Sequence, residues 1–146
     1  MNPLDDADRR LLDLLCADGR ATYSELAAQV GLSIAATKRR VDRLRSDGII
    51  TGFTAQIDRT KLGWAVEAFT EMRLVGTTLP ADMIRLAAQL PEVEAVYSVA
   101  GDPDMVFKLR ARDHLHLQEV LVQLRRRGKP VATKTMIVLG VWQRGD

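Results

Sequence analysis

Within GLSIAATKRRVDRLRSDGIITG (residues 31–52) five side chains are cationic, Lys38, Arg39, Arg40, Arg43 and Arg45, and only Asp42 and Asp47 oppose them. Lysine and arginine gathered this densely suit one kind of chemistry. They displace counterions from a polyphosphate, and arginine adds a planar fork that fits a phosphate or the edge of guanine. A second concentration is GDPD at 101–104, two carboxylates around a proline after a glycine. Such a turn either simply closes a hairpin or offers carboxylates to a cation. Other reactive types are sparse. Cys16 is the only cysteine, which excludes an internal disulfide and a cysteine-rich zinc site, and its setting in LLDLLCADG predicts a small core residue. His114 and His116 lie two apart on a predicted helix and point in divergent directions, so no metal site is expected there. No Ser/His/Asp set at suggestive spacing and no glycine-rich phosphate loop is present. An enzyme built on the second half therefore has little support, and no cofactor is expected.

The totals leave room for one well-filled domain or two small ones: 146 residues, 47% hydrophobic and 27% charged. A net charge of +2 alone does not point to nucleic acid, but its distribution does. Residues 1–60 carry nine basic and nine acidic side chains, with the acids gathered at 5–18 and five of the cations at 33–45. No apolar run reaches the roughly 18 residues of a membrane span. The opening MNPLDDADRR is polar and acidic where a secretory signal is basic and then apolar, so a cytoplasmic location is the default.

Apolar residues at Leu4, Ala7, Leu11, Leu12, Leu14 and Leu15 predict a first helix over 4–17, stopped at Asp18-Gly19. Thr22 or Ser24 can cap a second, short helix that buries Leu26, Ala27 and Val30 before Gly31 breaks it. Gly31 supplies a tight turn, and Ser33 is placed to cap a third helix. Helix, short turn with glycine, helix is the helix-turn-helix pattern. At about 100° per residue, Val41 and Leu44 fall within about 40° of Thr37 and define the buried stripe of the third helix. Ala35, Lys38, Arg39, Asp42 and Arg43 fall opposite it, with Arg40 and Arg45 nearer the seam.

The third helix is thereby predicted to enter a groove of double-stranded DNA, two alanines allowing close approach before the cations grip. Ile34, Ala35 and Ala36 are poor hydrogen-bond donors, which leaves base reading to Thr37, Lys38 and Arg39, or to bending of the duplex. The expected DNA-contacting set is Ser33, Ala35, Ala36, Thr37, Lys38, Arg39, Arg40 and Arg43, with Thr22, Tyr23 and Ser24 at the head of the second helix. A helix that is merely basic on its wet face is the plainer alternative. The cap and turn before the helix and the alternating IITGFTAQI after it, which predicts one or two short wing strands, favour DNA.

Beyond Asp58 the pattern changes. Residues 65–75 alternate as a strand, PADMIRLAAQL is an amphipathic helix, VEAVYSVA a strand, GDPD a turn, MVFKLRA a strand, HLQEVLVQLRR a helix and ATKTMIVLGVW a last strand. The predicted class is α+β: a winged helix-turn-helix over 1–50, a wing strand and hinge linker over 51–62, and a ferredoxin-like βαββαβ domain over 63–146. Two helices cover only one face of such a sheet, and self-association through the other face is the economical solution.

The chain resembles the Lrp/AsnC family, the leucine-responsive or feast/famine regulators. The resemblance is carried by LDDADRRLLDLLCADGRATYSELAAQVGLS, RVDRLRSDGIITGFTA, VYSVAGDPD and TKTMIVL in this order and spacing. It implies a transcriptional regulator that binds double-stranded DNA and an amino acid or related small metabolite as effector. It also implies a homodimer, with assembly of dimers to an octamer. The effector site it implies takes in Gly101, Asp102 and Asp104, and on the last strand Thr133, Thr135 and Met136. The residues themselves support part of this. Gly101 allows exposed amides to meet a carboxylate, and Asp102 or Asp104 can meet an ammonium group, which would hold a zwitterion at both ends.

The sequence departs from that family at two places. Arg45 stands where many members carry an acid, and RRRGKPVATKT replaces the usual approach to the last strand. Arg125, Arg126, Arg127 and Lys129 there read either as a second surface for DNA or as cations favoured by a helix C-terminus.

Overall fold

The computed structural model describes residues 3–142. Helix α1 spans Asp6–Ala17, α2 Tyr23–Val30 and α3 Ile34–Ser46; after a 3-10 turn at Thr60–Leu62 come β1 Val66–Arg73, α4 Pro80–Ala87, β2 Val93–Ser98, β3 Met105–Ala111, α5 His114–Gly128 and β4 Ala132–Ile137. The chain divides into two compact units between Gln56 and Ile57, inside the segment read as a linker. Among the described residues no helix is long and apolar enough to cross a membrane.

The first unit is helical, and local chemistry fixes each helix start. Asp5 caps α1 and forms a reciprocal capping box with Asp8, so the helix begins two residues later than Leu4. Thr22, not Ser24, caps α2, in a second capping box with Glu25. Gly31 follows α2 at φ 68°, a conformation that glycine adopts without the steric penalty of a side chain. Ser33 then caps α3 by accepting the Ala36 amide at 3.2 Å. Leu11, Leu26 and Val41 form the centre, and Leu14, Leu15, Ala21, Tyr23, Val30 and Ile50 pack around it.

Two expectations in this unit are corrected. Cys16 is exposed. It sits about 140° around α1 from the fully buried Leu11, so the helical period that places Leu11 inside places Cys16 outside. The wing strands are absent: residues 51–58 form no ladder and are exposed throughout. Alternation prepares a segment for a ladder but does not supply the second strand, and among the described residues of this unit there is none.

The second unit is the predicted βαββαβ arrangement, a four-stranded sheet in the order β2-β3-β1-β4. All three pairings are antiparallel, with Thr70 of β1 opposite both Phe107 and Thr135. Ala68, Thr70 and Met72 alternate with Met105, Phe107, Leu109 and Ala111 as the buried face. Met83, Leu86, Leu117, Val120 and Leu124 of the two helices close over it. The helix α5 runs longer than predicted at both ends, because Asp113 caps it by accepting the His116 amide and Lys129 turns it off at φ 43°. Strand β4 is shorter than predicted. Val138 donates to Glu67 near the start of β1, after which β4 has no partner.

Among the described residues of this unit no helix lies on the opposite face of the sheet. At one end Glu67 and Glu94 interleave with Lys108 and Arg110. Two apolar pairs share this face, Phe69 with Met136 and Tyr97 with Val106, while across β1 and β3 Phe69 opposes Lys108 and Val106 opposes Glu71.

Candidate nucleic-acid interface and sensor site

The turn at Gly31-Leu32-Ser33 sets α3 on α2, and three buried residues, Thr37, Val41 and Leu44, fix which way the rest of α3 faces. Lys38, Arg39 and Arg45 are exposed, as are Ser33 and Ala35; Ala36 is half-buried. Lys38 pairs along the helix with Asp42 at 3.0 Å, both well exposed, a type of pair that water and salt readily exchange. Arg39 and Arg45 make no ion pair among the described residues. Thr22 and Ser24 are exposed at the start of α2, while Tyr23 is half-buried against the core.

Three residues of the expected DNA-contacting set are engaged inside the unit. Thr37 is fully buried and its hydroxyl has no hydrogen-bond partner among the described residues, so the turn of helix that makes it a core residue directs it away from the exposed face of α3. Arg40 and Arg43 both reach the carboxylate of Asp8 on α1, Arg40 at 2.9 Å and Arg43 at 2.5 Å, and Arg40 also reaches Asp5 at 2.7 Å. The hydrogen bonds from the Asp8 amide and then from Arg40 hold the Asp5 carboxyl below the usual carboxylate range, and the side-chain bonds to Asp5 and then to Asp8 raise the Arg40 guanidinium. A signal for this lies in the sequence: Asp8 falls on the buried stripe of α1, and a carboxylate taken inside requires cations. The sequence reading also passed over Ile34. It is 55% exposed at the first turn of α3, and contact with a thymine methyl needs no donor.

In the second unit Gly101 adopts φ 126°, which a side chain would resist, and lets GDPD fold back at the edge of the sheet. Both carboxylates are already engaged. Asp102 takes the Arg73 guanidinium in a bidentate pair, Nε to Oδ1 at 3.1 Å with the second bond to Oδ2. Asp104 accepts the Leu74 amide at 2.7 Å and so latches the turn to the end of β1. Asp102 and Thr133 line one open groove of about 310 Å³ together with Glu71, Arg73, Pro103, Ala132 and Lys134.

The other residues named for an effector do not converge there. Thr135 lies on the helix-covered side, hydroxyl to hydroxyl with Thr70 at 3.1 Å, whereas Met136 faces the opposite way beside Phe69. Adjacent residues of a strand point to opposite faces, so Thr135 and Met136 cannot serve one side of the sheet. Thr133 also accepts a hydrogen bond from Arg125 at 3.1 Å, which gives one of the α5 cations a structural duty. Glu71, Arg73 and Lys134 are the residues that sequence reasoning missed. Lys134 opposes Glu71 in register, a pairing visible only once β4 is laid beside β1.

Among the described residues no group of three or more His, Cys, Asp or Glu is arranged to hold a metal. His116 instead stacks on Trp64, with ring centroids 6.2 Å apart, and contacts Glu92 at 3.1 Å.

A helix-turn-helix head with a cationic second helix, followed by a separate α+β unit with a polar groove at its sheet edge, defines the class of DNA-binding regulator with its own ligand domain. Residues 4–51 match the winged helix-turn-helix DNA-binding family and residues 67–145 the Lrp/AsnC ligand binding domain. The chain belongs to the Lrp/AsnC family of transcriptional regulators. It is 38% identical over 140 residues to the HTH-type transcriptional regulator Rv2324 of Mycobacterium tuberculosis, covering 95% of this chain and 94% of that one. To the regulator LrpA of the same organism it is 37% identical over 139 residues, covering 95% and 92%. The solved structure of a feast or famine regulatory protein from M. tuberculosis complexed with L-methionine superposes with a TM-score of 0.88 at 36% identity, covering 97% of this chain and 95% of that one. These relatives are regulators, not enzymes.

Proposed function

We propose that this regulator works in the cytoplasm as a homodimer, and as a tetramer of such dimers, whose assembly answers to an amino acid seated in the groove between β1 and β4. The observation that carries the effector reading is the charge pattern of that groove: Arg73 and Lys134 stand beside Glu71 and Asp102 around about 310 Å³. An amino-acid zwitterion needs a cation for its carboxylate and carboxylates for its ammonium, and here both are within one rim. The L-methionine bound to the solved relative supports the same chemistry. In the dimer the uncovered sheet faces pack together, and two α3 helices address successive major grooves about 34 Å apart. Exposed residues of α3 do the gripping, Lys38, Arg39 and Arg45, with Ser33, Ile34, Ala35, Thr22 and Ser24 near the duplex.

An effector shifts such an assembly only through unequal affinity for its forms. The test is calorimetric titration of the intact protein with L-methionine and then the other common amino acids. Saturable heat with at least one, weakened tenfold or more in Arg73→Gln, is the expected result. Absence of heat with all of them, or full affinity in Arg73→Gln, overturns the groove assignment and leaves the DNA-binding role standing.

A further inference from the structure

Of the five cations on α3, two differ from the rest in what they touch. Asp8 is fully buried at the start of α1, and both of its oxygens are taken: Oδ1 by Arg40, Oδ2 by Arg43 and the Asp5 amide. Arg40 is further held by Asp5. The side chains of Arg40 and Arg43 are themselves only 28% and 35% exposed. A phosphate that took either guanidinium would have to outbid a carboxylate that cannot follow its partner into water, and would strip partners from a charge in the interior. Lys38 faces no such obstacle. Its partner Asp42 is 47% exposed and rehydrates freely.

We propose that Asp8 withholds Arg40 and Arg43 from DNA, so that the recognition helix neutralises phosphate with Lys38, Arg39 and Arg45 alone. Asp8 is in this sense a positioning residue of the DNA-binding head. Its two guanidinium contacts tie α3 to α1, and its charge sets how many phosphates each head engages. This rests on the reading of α3 as the DNA-contacting helix. The consequence concerns strength rather than base reading. Phosphate contacts carry no sequence information, so freeing two more cations would raise affinity for any duplex, the proper site and unrelated ones alike.

The number of phosphates neutralised is measured by the slope of log K against log salt, about 0.9 per phosphate on B-DNA. In the intact protein, Arg40→Gln and Arg43→Gln are expected to leave that slope unchanged, while Arg39→Gln lowers it by about 0.9 per head. Asp8→Asn keeps the side-chain shape and removes the charge; it is expected to steepen the slope by up to about 1.8 per head and to tighten binding to unrelated duplex at low salt. Adding Arg40→Gln and Arg43→Gln to Asp8→Asn should return the slope to its original value. A slope lowered by Arg40→Gln or Arg43→Gln in the otherwise unaltered protein overturns the proposal. So does a folded Asp8→Asn variant, checked by circular dichroism, with an unaltered slope. Where Asp8→Asn does not fold, the two arginine variants decide alone. If Arg39→Gln also changes nothing, the reading of α3 is what fails.

Discussion

Thr37 carries a hydroxyl into the interior of the first unit. It is fully buried and unpartnered, and an unmet buried hydroxyl costs on the order of 1–3 kcal/mol. Thr37→Val exchanges it for a methyl of similar shape. The variant is expected to be more stable by about 1 kcal/mol in chemical denaturation and to bind DNA as before; weakened binding with unchanged stability would return Thr37 to the base-reading set. At this scale the helical period of α3 correctly placed Thr37, Val41 and Leu44 inside. It failed at Arg43. A wheel reports distance from one stripe, and the partner that draws Arg43 inward is Asp8, 35 residues away in sequence. Such a contact is not legible until two helices are packed.

At the starts of three helices a carboxyl group of the cap or of the first turn is held below its ordinary value by the folded structure. Asp5 is lowered first by the Asp8 amide and then by Arg40, Glu25 by the amide and hydroxyl of Thr22, and Asp113 chiefly by the His116 amide. A depressed carboxyl contributes stability that is fully present above its unfolded pKa and is lost as pH falls through the folded one. The thermal midpoint is therefore expected to hold near neutrality and to fall on acidification below about pH 5. Glu25→Gln should flatten part of that acid limb for the first unit, and an acid limb identical to the parent's would contradict the capping account. Element identity was largely legible because caps and periods are local: β3 occupies the predicted residues, and Ser33 caps α3 as read. The wing was not, because a strand is a property of a pair. IITGFTAQI alternates, yet residues 51–58 have no ladder.

At the scale of the whole molecule, the helix-free face of the sheet carries two apolar pairs, Phe69 with Met136 and Tyr97 with Val106, among a balanced set of charges. Under the dimer proposal, Met136→Glu places an unpaired carboxylate in that contact and should weaken the dimer tenfold or more in sedimentation equilibrium, with the monomer fold retained. A dimer of undiminished affinity would move the contact to another surface. The order of elements along the chain was legible as βαββαβ; the groove was not, because Glu71 and Lys134 become neighbours only through the β1–β4 register. The central claim concerns the other unit, that exposed cations of α3 grip duplex DNA. Fluorescence anisotropy of a labelled duplex, titrated with the intact protein and with Arg39→Gln across a range of salt, tests it most directly. A loss of affinity at low salt together with a slope shallower by about 0.9 per engaged head is the predicted result; identical affinity and slope in the two proteins would contradict it.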